Sequence, residues 1–149
     1  MNSQPYNQLS DGDLLALCIW REARGEGPVG KLAVGCVIRN RVAAQTFFGH
    51  TLQSVILKPY QFSSFNENDP NADKWPEDGE ADWLDCQDAA LDVASGSPDP
   101  SNNALYYFSP PLTAPPREWG LVTQTASVGR LKFYKPAPTQ APGLETDIS

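Results

Sequence analysis

Between Asp11 and Val42 the chain reads DGDLLALCIWREARGEGPVGKLAVGCVIRNRV, two apolar helical patterns split by a single Gly-Glu-Gly-Pro break. Nothing else in the sequence constrains the fold so tightly. Ser10, with Asp13 three residues on, makes a capping-box-like start in which Asp stands in for the usual Glu or Gln, and it predicts a helix over 11–24. Leu14, Leu15, Leu17, Ile19 and Trp20 occupy most of that helix's circumference, so it must be packed on several sides. Gly25, Gly27 and Pro28 end it. Pro28, at the favoured first helical position, opens a second helix over 28–42. Val29, Leu32, Ala33, Cys36 and Val37 line one face of that helix, and Asn40 falls on it too. Asn40 is either a cap or satisfied core amide, or a polar group that faces a cleft or holds a loop.

Further along, a short helix over 51–57 must end before Lys58-Pro59, because the residue before proline is pushed out of helical geometry. The segment from Gln61 to Glu80 is polar, turn-rich and long, the kind of loop that is functional or mobile. A fourth amphipathic helix is predicted over 80–95. After GSPDPSNN the pattern changes to two aromatic-rich strands, ALYYFSP and GRLKFYK, separated by a proline-rich loop. The expected fold class is α+β, mostly α, with a small antiparallel β element. A single domain over 1–135 fits the chain length of 149 residues, followed by a Pro-rich tail over 136–149.

Glu22 breaks the apolar logic of the first helix. It follows Ile19, Cys18 and Leu15 by three, four and seven residues, the spacing of one helical face. A carboxylate there is an ion pair with Arg24, Arg39 or Arg41, or it is a working acid. Desolvation against apolar neighbours raises a carboxyl's pKa, and such a group can hold a proton near neutral pH and deliver it to a leaving oxygen. Glu26 lies in the turn, where it caps the second helix or bonds its first amides. A second acid for a two-carboxylate mechanism would come from Glu26, Glu67, Asp69 or Asp73, and spacing singles out none of them.

Composition removes the competing chemistries. The chain has one histidine, His50, in a loop without an adjacent acid. Zinc hydrolases need a larger His or Cys set, so no metal and no cofactor is expected. Ser-His-Asp and Cys-His signatures are missing, as are phosphate-binding glycine loops. A net charge of −7 leaves no basic stripe for phosphates, so no nucleic-acid partner is expected. The three cysteines, Cys18, Cys36 and Cys86, fall in helical patterns and read as buried thiols, with a Cys18–Cys36 bridge as the alternative. No apolar run approaches the ~20 residues that span a bilayer, so membrane insertion is not expected. MNSQPYNQLSDGD lacks the basic and apolar regions of a signal peptide. Gln61, Phe62, Ser63, Trp75, Tyr106 and Tyr107 offer amides, hydroxyls and ring faces, a mixture that suits a sugar groove as well as a core.

Taken together, EARGEGPVGKLAVGCVIRNRV, SVILKPYQFSSFNENDP, NALYYFSP and VGRLKFYKP resemble the cell-wall hydrolase family of spore cortex-lytic enzymes, whose domain phage endolysins share. The resemblance runs from Leu14 to Tyr134. It implies a lysozyme-like, lytic transglycosylase-type fold acting on the glycan strand of peptidoglycan, with Glu22, the first glutamate of the EARGE motif, as general acid/base. It further implies cleavage of the MurNAc-β-1,4-GlcNAc bond with closure of a 1,6-anhydro ring, a hydrolytic muramidase or a non-catalytic glycan-binding domain being the alternatives. Gln61, Phe62 and Ser63 match the family's QFS motif and Tyr106-Tyr107 its aromatic strand; with Glu26 they are the expected substrate-binding residues. The histidines that relatives carry in that strand and in the closing motif are replaced here by Tyr107 or Phe108 and by Leu131 or Lys132. The expected setting is a monomeric endolysin made in the host cytoplasm and released to the wall through a holin-type pore.

Overall fold

The computed structural model describes residues 1–59 and 61–138. Four helices, α1 (Asp11–Ala23), α2 (Pro28–Ala44), α3 (Leu52–Leu57) and α4 (Ala81–Ala94), precede three short strands, β1 (Tyr106–Phe108), β2 (Val122–Val128) and β3 (Leu131–Pro136). This is the α+β arrangement, helix in the majority, that the sequence predicts.

The start of α1 is capped as the Ser10–Asp13 pair suggests: the Asp13 amide donates to Ser10 Oγ at 3.1 Å. Every residue from Leu14 to Arg21 is buried, which makes α1 the central helix. It packs against α2 and α4 at Gly35, where a Cβ would lie 2.7 Å from Val93 Cγ2 and 3.0 Å from Ile19 Cδ1. Only a residue without a side chain lets three helices approach so closely. Polar ties reinforce the crossing. Lys31 Nζ, buried in α2, bonds Asp82 at 2.6 Å, and Arg39 donates to the Val93 and Ser97 carbonyls, both at 3.1 Å. Asn40 holds a loop, donating to Asp99 Oδ2 at 2.8 Å and to the Ala104 carbonyl at 3.0 Å. The three cysteines are free and buried. Burial pushes the Cys36 thiol up to about 11 and the Cys86 thiol up to about 12.

The sheet is antiparallel in the order β1-β3-β2. Its middle strand, β3, drives Leu131 and Phe133 into the helical core. Two sequence expectations need correction here. The loop between the aromatic strands contains β2, whose VTQTASV side chains are all exposed or half-buried; small polar residues gave no alternating apolar signal, and the strand forms because β3 supplies a ladder. The second aromatic strand begins at Leu131, after a turn at Gly129-Arg130, and ends on Pro136. The tail predicted from 136 therefore starts inside a strand, and from 139 onward it lies outside the described residues. Among the described residues no helix is long and apolar enough to cross a membrane.

The long segment after residue 60 is pinned rather than loose. It carries two 3-10 turns, Ser63–Phe65 and Pro70–Asp73, and Arg21 gathers both. Arg21 Nη1 bonds the Tyr6 hydroxyl at 2.8 Å and the Ser64 carbonyl at 3.2 Å, while Nη2 bonds the Ala72 and Lys74 carbonyls at 3.1 and 2.9 Å. Its guanidinium also faces the rings of Tyr6, Phe65 and Trp75 at 4.8–5.4 Å.

Candidate active site

Glu22 occupies the last turn of α1, on the face that carries buried Leu15, Cys18 and Ile19. Two hydroxyls converge on its carboxyl. Ser64 Oγ donates to Oε2 at 2.9 Å and the Tyr107 hydroxyl donates to Oε1 at 2.8 Å. The neighbouring Arg21 sets the first of these, because its hold on the Ser64 carbonyl brings that residue over α1. Pairing of β1 with β3, in the register Tyr107↔Phe133, sets the second.

Burial pushes Glu22 above the ordinary carboxylate range; the bonds from Tyr107 and Ser64 oppose this, Asp69 adds repulsion, and Arg41 offsets part of it. Burial also raises the Tyr107 phenol well above its usual value, so it remains a donor. The ion-pair alternative is not realised among the described residues. Arg24 lies over the Trp20 ring at 4.2 Å, Arg39 binds carbonyls at the end of α4, and Arg41 Nε donates to the Leu105 carbonyl at 2.7 Å.

Glu22 opens onto a cleft of about 380 Å³, to which the structure also brings Gln61, Phe62, Tyr106 and Tyr107. Ser63 is not among the lining residues; it is exposed at the start of its 3-10 turn, and Ser64, one residue on, takes the contact with Glu22. Glu26 is not brought to the cleft either. Its carboxylate bonds Arg130 Nε at 3.1 Å and pairs with Nη2 at 3.0 Å, and the α2 N-cap, Gly27, receives no side-chain bond. Trp75 is spent on the Arg21 cage, stacking on Tyr6 at 5.9 Å.

The sequence reading passed over several residues of the cleft. Trp119, in a 3-10 turn at Arg117–Trp119, stacks on Tyr106 at 4.7 Å, and exposed Glu118 lies beside it in the lining. Arg41 is the most informative omission. It follows Ile38, Val37 and Val34 by three, four and seven residues, all of them buried. The same spacing drew attention to Glu22 and was available for Arg41. Arg41 is 5% exposed, sits over the Phe48 ring at 4.4 Å and near Phe62 at 5.1 Å, and burial lowers its pKa.

A mostly helical α+β domain that presents one desolvated carboxyl, two hydroxyl donors and aromatic walls defines the class to compare. A family model described as Cell Wall Hydrolase matches residues 25–134. The spore cortex-lytic enzyme of Oceanobacillus iheyensis is 39% identical over 111 residues, covering 72% of this chain and 35% of that protein. The spore cortex-lytic enzyme of Bacillus cereus is 33% identical over 134 residues, covering 87% of this chain and 46% of its own length. The chain thus spans less than half of either relative. Among solved structures, the catalytic domain of the germination-specific lytic transglycosylase SleB from Bacillus anthracis superposes with a TM-score of 0.68 at 32% identity, over 89% of this chain and all of that domain. The catalytic domain of Bacillus cereus SleB gives 0.67 at 31%. The chain belongs to the cell wall hydrolase family.

Proposed function

We propose that this domain cleaves the glycan strand of peptidoglycan as a lytic transglycosylase, with Glu22 as the single acid and base. The carrying observation is the Glu22 carboxyl itself, desolvated at the cleft and held by Ser64 and Tyr107. In the proposed step Glu22 gives its proton to the glycosidic oxygen after N-acetylmuramic acid as the C1–O bond breaks, and the departing sugar leaves with a free 4-hydroxyl. The 6-hydroxyl oxygen of the muramyl residue then bonds to C1 while its proton passes to the Glu22 carboxylate. Atoms balance without water, and the enzyme returns to its protonated form. Tyr107 and Ser64 steady the carboxylate between the two transfers, and desolvation, by raising the Glu22 pKa, favours the protonated form that donates. Support also comes from the B. anthracis domain with the same fold, described as a lytic transglycosylase.

Mass spectrometry of the products from purified sacculi tests this. Anhydro-muramyl ends support transglycosylation, reducing ends point to a hydrolytic muramidase on the same site, and no cleavage leaves a binding domain. The endolysin setting is proposed on the family resemblance alone; lysis after co-expression with a holin is its test.

A further inference from the structure

Arg41 Nη1 is the one buried side-chain nitrogen or oxygen without a hydrogen-bond partner among the described residues. It belongs to a residue that lines the Glu22 cleft and is 5% exposed. A guanidinium donor left unbonded in a low-dielectric setting is costly, and native proteins rarely leave one so without a reason. The rest of the group is fixed. Nε is committed to the Leu105 carbonyl at 2.7 Å, and the plane is boxed by the rings of Phe48, Phe62 and Tyr106 at 4.4, 5.1 and 5.9 Å. Arg41 lines the cleft, and the protein itself supplies no acceptor for this donor, so a ligand bound there is the natural source of one.

The surroundings narrow which acceptor that is. An anion would share the cleft with exposed Glu118 on a chain of net charge −7, so a carboxylate ligand is disfavoured. A neutral carbonyl oxygen meets no such opposition and is a better acceptor than an ether or hydroxyl oxygen. Phe47, which lines the same cleft, stacks on Phe48 at 4.4 Å and still remains 64% exposed, an apolar wall. A donor and an exposed aromatic wall in one cleft suit a small planar group with an oxygen at one end and a methyl at the other. Every sugar of the peptidoglycan strand carries such a group at C2. We propose that Arg41 is a specificity-determining residue that reads the 2-acetamido group: Nη1 donates to the acetyl oxygen while the methyl rests on Phe47. This rests on the glycan-cleaving reading above.

The test compares acetylated sacculi with the same sacculi after de-N-acetylation, using wild type, Arg41→Met and Arg41→Lys. Wild type should cleave the acetylated strand at least about tenfold faster in kcat/KM, the scale for leaving a charged buried donor unpaired. Arg41→Met should cleave both slowly and at nearly the same rate, and Arg41→Lys should recover only part of the preference. A wild-type ratio near one overturns the proposal and needs no variant to fold. So does an Arg41→Met protein, folded by circular dichroism, that keeps the wild-type ratio. Sedimentation binding to both sacculi with Glu22→Gln, alone and combined with Arg41→Met, separates this proposal from the reading beneath it. If wild type cuts neither substrate yet Glu22→Gln still prefers acetylated strands through Arg41, the acetamido contact stands and the transglycosylase reading falls. If wild type cuts both equally, the reverse holds. No cleavage and no preference in binding sinks both.

Discussion

Arg21 and Arg41 are both buried, at 7% and 5% exposure, and both are caged by three aromatic rings. Each bears on Glu22 differently: Arg21 through the Ser64 carbonyl it holds, Arg41 as a fellow lining residue of the cleft. Arg21 donates to the Lys74, Ser64 and Ala72 carbonyls and to the Tyr6 hydroxyl, and it ends with its hydrogen-bonding capacity used. Arg41 reaches one carbonyl and leaves Nη1 without a partner. Burial and cation–π packing are alike, so neither tells the two roles apart; satisfaction does. The completed guanidinium builds the loop that delivers Ser64, and the incomplete one faces the cleft.

The largest effect belongs to Glu22 itself. Glu22→Gln should lower turnover by about a hundredfold to ten-thousandfold, the usual contribution of a general acid, while sacculus binding persists; a variant that clears sacculi at the wild-type rate removes Glu22 from the chemistry. The same variant has a stability signature. A carboxyl whose folded pKa is raised contributes fully below its unfolded value, and that contribution is lost as pH rises through the folded value. The melting temperature of wild type relative to Glu22→Gln should therefore fall between acidic and neutral pH. A difference independent of pH would mean the carboxyl is not desolvated.

Arg21→Met should next be a folding defect, costing about 3 kcal/mol or more in urea melts because three loop carbonyls lose their donor together. Arg41→Met should cost less stability while removing acetamido preference. If the two variants are equally destabilised and equally inactive, the distinction between them fails.

Ser64→Ala and Tyr107→Phe each remove a donor that favours ionised Glu22. Activity that needs the protonated acid falls as pH rises through the Glu22 pKa, so in either variant the falling limb of the kcat/KM profile should move to higher pH. A limb that stays in place or moves down contradicts the assignment. The smallest effect belongs to Arg130→Ala. Arg130 is exposed and covers a Glu26 carboxylate that is only 7% exposed and lies outside the cleft; removing it reopens that carboxylate to water, so stability should drop by about 1 kcal/mol and the pH profile should not move. A changed profile would bring Glu26 back into the site.

Much of this site could be read from residue order alone. Helical spacing placed Glu22 on an apolar face, and Gly25, Gly27 and Pro28 ended α1 and opened α2 where the structure has them. Spacing fails where the partner is remote. Nothing within the QFSS stretch distinguishes Ser63 from Ser64; the choice is made by Arg21, some forty residues earlier, grasping the Ser64 carbonyl. The β2 strand escaped for a similar reason, since VTQTASV is rich in β-branched residues but lacks apolar alternation, and its pairing partner β3 lies beyond it in the chain. Glu26 looked like a cap or a ligand contact until the β2–β3 turn set Arg130 against it. Arg41 is different: helical spacing put it on a buried face, yet it entered only as one of three arginines that could pair with Glu22, not as a residue of the cleft.

The two hydroxyls on Glu22 come from 42 and 85 residues along the chain. One arrives with the pinned loop and the other with the sheet, so neither exists while the helices stand alone. A fragment of helices alone would leave this side chain without either donor, so catalytic competence depends on elements drawn from the whole length of the domain.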